Sequence, residues 1–494
     1  MATAPGDSAP PRTGPGPLPG DPTTFPGDPA PFSGDPTRLS GSPTTLSGGP
    51  TTLDDAPAAR PPGGGGTPGT AGRRGAAGGL LDRLRRAAVD VRPLAVPAYR
   101  RVLAGQGASL VGTMVTQVTI PVQIYALSHS SLYVGLAGLA GFVPIVVLGL
   151  YGGAIADVVD RRLLCLWSSL VTWAVTLALL VQTLLGVRSV GLILALVAVQ
   201  AGGSAISSST LGAIIPRIVP SGLVPAANTL SFTVGNIGSV LGPLAAGVLV
   251  GLPHGYALAY GVDAVLFTVS LYSTLRLPSI RPENAPARRG LLAVLDGLRF
   301  ISGRPVLLMS FGVDIAAMVL AMPNALFPQV AATRFHGGIG WLYSAVAIGS
   351  VLAGLCSGWI GRVRRQGVAL TVAVVGWGVA IALAGFARTL WLAVALLALA
   401  GAADLVSAVY RQTILQTHAP DEMRGRMQGI FTVVVSGGPR LGDLRAGAMA
   451  AATTVGIAWS GSAMLCVVLV LAGALAVRPF RTYTVNAAGG RTAP

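Results

Sequence analysis

The chain has 494 residues, 52% of them hydrophobic and 11% charged, with a formal net charge of +16, and its mean hydropathy is +0.67. Soluble proteins carry about a quarter charged residues, and crossing the roughly 30 Å hydrocarbon core takes about 20 mostly apolar residues per helix, so this balance describes a chain that spends most of its length in lipid. The arginines are scattered and aromatics are few, which argues against a nucleic-acid partner and for basic residues that flank membrane spans.

In chain order, residues 1–78 come first, rich in Pro, Gly, Thr and Ser. They have too few core-forming side chains to offset chain entropy and read as a disordered cytoplasmic tail. Gly20, Gly27, Gly34, Gly41 and Gly48 recur every seven residues, each followed two positions on by a proline (Pro22, Pro29, Pro36, Pro43, Pro50). Pro and Gly break helices, so the repeat is no coiled coil. No apolar stretch follows Met1, so the tail does not read as a signal peptide. A passive extension is the favoured reading over a polyproline-type binding arm. Residues 79–101 form a basic juxtamembrane segment with Arg83, Arg85, Arg86, Arg92, Arg100 and Arg101.

Twelve apolar runs follow. Six, at 102–127, 132–155, 163–185, 189–214, 223–250 and 256–275, make a first half spanning 102–275. Residues 276–304 form a cytoplasmic loop between the halves, in which 288–302 carries apolar Leu291, Leu292, Leu295, Leu298 and Phe300 with Arg288, Arg289 and Arg299, as a helix lying on the inner surface would. Six more, at 305–330, 339–361, 368–387, 390–416, 424–449 and 455–477, make a second half, 305–477, followed by a cytoplasmic tail, 478–494. Arginine concentrates on alternate loops: Arg161, Arg162, Arg217, the cluster from Arg276 to Arg304, Arg362, Arg364, Arg365, Arg424, Arg426, Arg478 and Arg481 on one side, only Arg188, Arg334 and Arg388 on the other. The positive-inside rule then places both termini in the cytoplasm of a multi-pass plasma-membrane protein.

The halves echo one another at an offset of about 200 residues: Ser207 and Ser407, Ile214 and Ile414, Pro220 and Pro420, Asn228 and Gln428. After the second run stand Gly153, Asp157, Asp160, Arg161 and Arg162, a Gly, an Asp and a basic pair where two spans join. Gly lets helices approach, and the Asp with its Arg pair can form a releasable lock at the membrane surface. The fifth run holds Gly238, Gly242, Pro243 and Gly247, small residues for close packing and a proline that bends the helix. Six-plus-six parallel halves with these two motifs resemble the major facilitator superfamily, and the fifth-run motif resembles the one associated with its exporters. Val197 departs from the superfamily pattern, standing where an Arg is often found. In the second half, 404–411, 419–429 and 437–447 resemble the enterobactin-exporter branch, beside macrolide-efflux-like members. The likeness covers about 95–480 and leaves out the long tail.

The resemblance implies an all-α integral membrane fold of twelve transmembrane helices in two pseudo-symmetric six-helix halves. It also implies proton-driven efflux of a siderophore or drug-like compound. Ionisable residues inside spans are costly and mark function. Asp314 and Asp404, on the seventh and tenth runs, are the candidate coupling acids, since those spans line the cavity of the fold. Arg411, Arg440, Asp443 and Arg445 read as an intramembrane charge network, with Arg440 and Asp443 three residues apart on one face. Asp263 reads as a structural hydrogen-bonding acid. Ser109, Thr113 and Thr116 share a face of the first run, suited to a cavity wall or to bonds between helices. Trp167, Trp173, Trp341, Trp377, Trp391 and Trp459 read mostly as interface anchors.

Every basic residue other than histidine is arginine, because the chain contains no lysine. It therefore has neither the phosphate-loop lysine of an ATP-driven pump nor a Schiff-base amine, although GC-rich codon usage explains the bias equally well. Cys165, Cys356 and Cys466 are scattered in apolar runs and the four histidines fall in predicted loops, so no metal site or disulfide framework is expected. No catalytic group, cofactor or metal is implied. The expected partners are the lipid bilayer, a small-molecule cargo and protons, for a chain acting as a monomer. Metabolite uptake, or a sensor or scaffold without transport, are the alternative readings.

Overall fold

The computed structural model of the protein describes residues 90–156, 160–276, 291–418 and 424–484. The repeat-bearing tail, 1–78, lies outside them. Every regular element among the described residues is helical. Ten helices are long and apolar enough to cross a membrane. Two others complete the twelve: Ile339–Leu355, apolar but shorter, and Arg424–Ala452, long enough but carrying Arg424, Arg426, Arg440, Asp443 and Arg445. Spans one to six are Pro97–Ser128, Ser131–Ala156, Arg161–Leu184, Val190–Ile218, Val224–Val250 and Gly255–Leu275. Spans seven to twelve are Pro305–Phe335, Ile339–Leu355, Gln366–Phe386, Leu390–His418, Arg424–Ala452 and Ile457–Ala476. A separate helix, Leu291–Ser302, precedes span seven.

Local chemistry sets the helix ends. Span one starts on Pro97, inside the segment expected to be juxtamembrane, because proline suits the first helical position. Asp160 caps span three by accepting from the Arg162 amide at 2.9 Å, and Ser189 caps span four by accepting from Leu192 at 3.2 Å. His129, His254 and His336 all sit at left-handed φ, 50°, 57° and 53°, in the turns of the Arg-poor end. Histidine enters that region more readily than most residues with a side chain. His418 differs from the expectation of a loop. The helix of span ten runs through it, and its ring nitrogen lies 3.0 Å from the Ile414 carbonyl.

Span seven is the main departure from the apolar pattern. Its helix stops at Leu320, resumes as a turn over Asn324–Leu326, and finishes as Phe327–Val330 and a π-turn over Ala331–Phe335. Pro323 and Pro328 supply no amide donor around this break. Inside a membrane the freed backbone groups must find other partners.

The spans pair in a repeating scheme. Span one packs on five and six, two on four, and three on four and six. Span seven packs on eleven and twelve, eight on ten, and nine on ten and twelve. Each pairing recurs six spans later, which is the pseudo-symmetry of the fold. The halves meet where span two packs on eleven and span five on eight, and these two contacts are themselves a symmetric pair. Trp167 and Trp391 are exposed as anchors would be, but Trp377 and Trp459 are buried. Trp459 donates to the Ile381 carbonyl at 2.9 Å, joining spans nine and twelve rather than facing lipid headgroups.

A candidate transport cavity and two charge clusters

Between the halves lies a cavity of about 530 Å³, walled by spans one, two, four, five, seven, eight and eleven. Thr113 and Gln117 of span one, Gln200 and Ser204 of span four, and Asn324 at the break in span seven give it a neutral polar lining. Its charged lining groups are Arg440 and Asp443 of span eleven. Val197, at the position where the superfamily pattern often has Arg, is also in the wall. The three span-one hydroxyls take separate roles. Thr113 faces the cavity, Thr116 donates to Asp263 at 2.6 Å, and Ser109 donates to the Gln106 carbonyl at 3.2 Å.

At the Arg-poor end the halves close on one another through glycine. A Cβ on Gly340 of span eight would lie 2.5 Å from the Pro243 carbonyl oxygen and 3.1 Å from Gly247 Cα of span five. A Cβ on Gly447 of span eleven would strike the Ser131 carbonyl and lie 3.2 Å from Gly135 Cα of span two. Ser131 donates to Gln329 of span seven at 2.6 Å, and Ser344 donates to the Val240 carbonyl at 3.0 Å. The exporter-type motif therefore faces two ways. Gly238 and Gly242 admit Leu110 and Met114 of span one, while Gly247 admits the opposite half.

The residues grouped by sequence as one charge network fall into two clusters. In the first, the Arg411 guanidinium of span ten forms an ion pair with Asp314 of span seven, and its other terminal nitrogen lies 3.3 Å from Asp404. Asp314 is 1% exposed and Arg411 4%, whereas the Asp404 side chain is 34% exposed. Leu307, Phe311, Leu415 and Phe431 surround the inner pair. Neither acid is in the wall of the central cavity. Sequence spacing links Arg411 to Asp404, seven residues away on one helix. The partner on span seven is an effect of tertiary packing.

The second cluster is on span eleven and repairs the break in span seven. Arg445 donates to the carbonyls of Val319 at 3.0 Å, Met322 at 3.4 Å and Ala458 at 2.8 Å. Asp443 accepts from the Ala325 amide at 3.1 Å. Tyr343 donates to the Asn324 carbonyl at 3.0 Å. Arg440 and Asp443 share a face but are not joined as an ion pair among the described residues, and no hydrogen bond or ion pair connects Arg411 to this cluster.

Elsewhere, Asp263 is buried between spans one, three and six, accepting from Thr116 at 2.6 Å and Thr176 at 3.2 Å. In the lock motif, Gly153 lies near the end of span two and Arg161 opens span three. Asp160 is that helix's cap, and Arg162 donates to the Leu275 carbonyl of span six at 2.7 Å. Asp157 lies outside the described residues. Sequence reasoning missed Asn324 as a cavity residue; its signal was the pair of prolines around it, Pro323 and Pro328.

Two six-helix halves around a cavity lined by apolar and polar groups have the architecture of a membrane transporter of small molecules. The family profile described as transmembrane secretion effector matches residues 88–488, and the chain belongs to that family, in the enterobactin-exporter branch of the major facilitator superfamily. It is 30% identical over 397 residues to the enterobactin exporter EntS of Shigella boydii, covering 78% of this chain and 94% of that one. It is 29% identical over 368 residues to EntS of Citrobacter koseri, covering 72% and 86%. Among solved structures, the nucleoside transporter NupG matches with a TM-score of 0.61 at 14% identity, over 78% of this chain and 100% of that one. An inward-facing, unoccupied bacterial homologue of the human lysosomal transporter Spinster matches with a TM-score of 0.61 at 16% identity, over 80% and 97%. At these identities the structural likeness is one of fold.

Proposed function

We propose that the protein is a secondary exporter that carries a siderophore-like or drug-like molecule out across the plasma membrane in exchange for protons. The observation that carries this reading is the cavity of about 530 Å³ between the halves, a drug-sized volume, closed at one end by their contact. The exporters named among its relatives supply the direction and the cargo class. The arginine-rich loops belong in the cytoplasm with both termini, so the closed end is external and the cavity loads from within. The lysine-free chain has no phosphate loop, so uphill transport draws on an ion gradient. Asp314 and Asp404 share one guanidinium. Protonating either carboxylate leaves Arg411 to the other, which can shift span seven against span ten as a proton passes. The transporter works as a monomer, and the lock at Gly153, Asp157, Asp160, Arg161 and Arg162 steadies its cytoplasmic face.

Inside-out vesicles offered a panel of siderophores and antibiotics test the reading. At least one compound should accumulate, and collapsing the proton gradient should stop it. Asp314→Asn and Asp404→Asn should each abolish gradient-driven accumulation while keeping downhill exchange. Accumulation of no compound refutes export, and wild-type uphill rates in both variants place the coupling acids elsewhere. A reporter fused after Arg365 should read cytoplasmic and one near Gly337 external; the same side for both overturns the topology.

A further inference from the structure

We infer that Arg440 is the cargo-selecting residue of the central cavity, and that it selects molecules presenting a carboxylate or similarly compact oxyanion from an otherwise uncharged body. This deepens the export reading and rests on it.

Three charged residues occupy one stretch of span eleven: Arg440, Asp443 and Arg445, two cations and one anion. Two of them are committed. Arg445 spends Nε and both terminal nitrogens on the carbonyls of Val319, Ala458 and Met322. Asp443 is held on the Ala325 amide. These bonds stabilise the break in span seven and are needed whether or not cargo is bound. Arg440 has no such duty. Among the described residues it makes no hydrogen bond or ion pair, although it lines the cavity.

Its placement fits a binding role. The guanidinium reaches from the second half to the first, where a Cβ built on Gly141 of span two would collide with it and would lie 3.5 Å from Ala201 of span four. Small residues at both positions leave it room at the boundary between the halves. A guanidinium at membrane depth with unmet donors is costly unless it faces water or a partner. Its five N–H groups form a planar fork that matches a carboxylate through two parallel bonds. Of the other polar wall residues, Gln117, Gln200 and Asn324 are neutral, and Asp443, the acid of the wall, is held on the Ala325 amide. The cluster keeps a surplus of one positive charge, and Arg440 is its cation at the cavity wall. A neutral molecule would leave that charge unmatched, and a cation would be repelled.

The test uses the full-length protein in lipid nanodiscs with two fluorescent probes of equal shape, pyrene-1-carboxylate and its neutral analogue pyrene-1-carboxamide. Wild type should bind the carboxylate about tenfold more tightly than the amide, the advantage of one charge-assisted pair. In Arg440→Gln the ratio should fall to about one with amide binding unchanged, and Arg440→Lys should restore part of it. The wild-type ratio needs no variant, so misfolding of Arg440→Gln cannot hide the answer. Equal affinity for both probes, binding of neither, or a parallel loss of both in Arg440→Gln overturns the inference. Accumulation of compounds from the vesicle panel would still stand in each of those cases, so a failure here is distinguishable from failure of the export reading.

Discussion

Two arginines in the second half, Arg411 and Arg440, show how the same side chain is used in opposite ways. Arg411 is 4% exposed and enclosed between two carboxylates contributed by spans seven and ten. Arg440 lies at the cavity wall, near Asp443 but with no hydrogen-bond or ion-pair acceptor among the described residues. One charge is matched by the fold and the other is left for something that is not part of it. The contrast shows that counting intramembrane charges does not locate a binding site. What locates it is which charges remain unmatched after folding.

The contrast can be broken by measuring unfolding midpoints of purified variants. Arg411→Gln should be the most harmful, because it leaves Asp314 buried without its cation, a loss on the order of 3–5 kcal/mol. Replacing both members, Asp314→Leu with Arg411→Met, should recover most of that loss, since an apolar pair needs no compensation. A double variant as unstable as the single one would mean the pair is more than mutual neutralisation.

Arg445→Gln comes next, at about 2 kcal/mol, since it withdraws a cation from three carbonyls around two interrupted helices. A drop confined to spans seven and twelve, read as faster hydrogen exchange there, would confirm the clamp; uniform loosening would argue against it. Asp404→Asn should cost at most about 1 kcal/mol, because that carboxylate is 34% exposed and its contact is long. The smallest change belongs to Arg440→Gln, within about 0.5 kcal/mol of wild type. If its midpoint falls as far as that of Arg411→Gln, Arg440 is a structural group and the contrast is lost.

A further prediction concerns the closed end. Gly340→Val would push a side chain into the backbone of Pro243 and Gly247, so the halves should no longer close there. Accessibility of a cysteine placed at Gln329 to a membrane-impermeant thiol reagent should rise several-fold over the same cysteine in a wild-type background. Unchanged labelling would show that the contact is not the seal.

Hydropathy alone placed ten of the spans, because lipid demands about 20 apolar residues per crossing and little else satisfies that demand. Span eleven was legible in spite of its charges because length and the repeat of the first half both pointed to it. Pro323 and Pro328 do not by themselves mark the interruption of span seven, since prolines also sit inside intact helices here, at Pro121, Pro144, Pro243 and Pro439. In the sequence Asp443 and Arg445 group with Arg411 as charged residues inside spans. Their real partners are backbone groups more than a hundred residues away, apart from Ala458. Trp377 and Trp459 looked like anchors because a side chain's depth and facing cannot be read from its identity.

By itself the sequence determined that this is a multi-span helical protein with two related halves, because transfer into lipid depends on composition summed along each segment and the repeat is written in the order of residues. Tertiary structure decided which charges are spent and which are free. That outcome depends on distances between segments far apart in the chain, and an ion pair or a capped carbonyl exists only when packing brings both partners to one place.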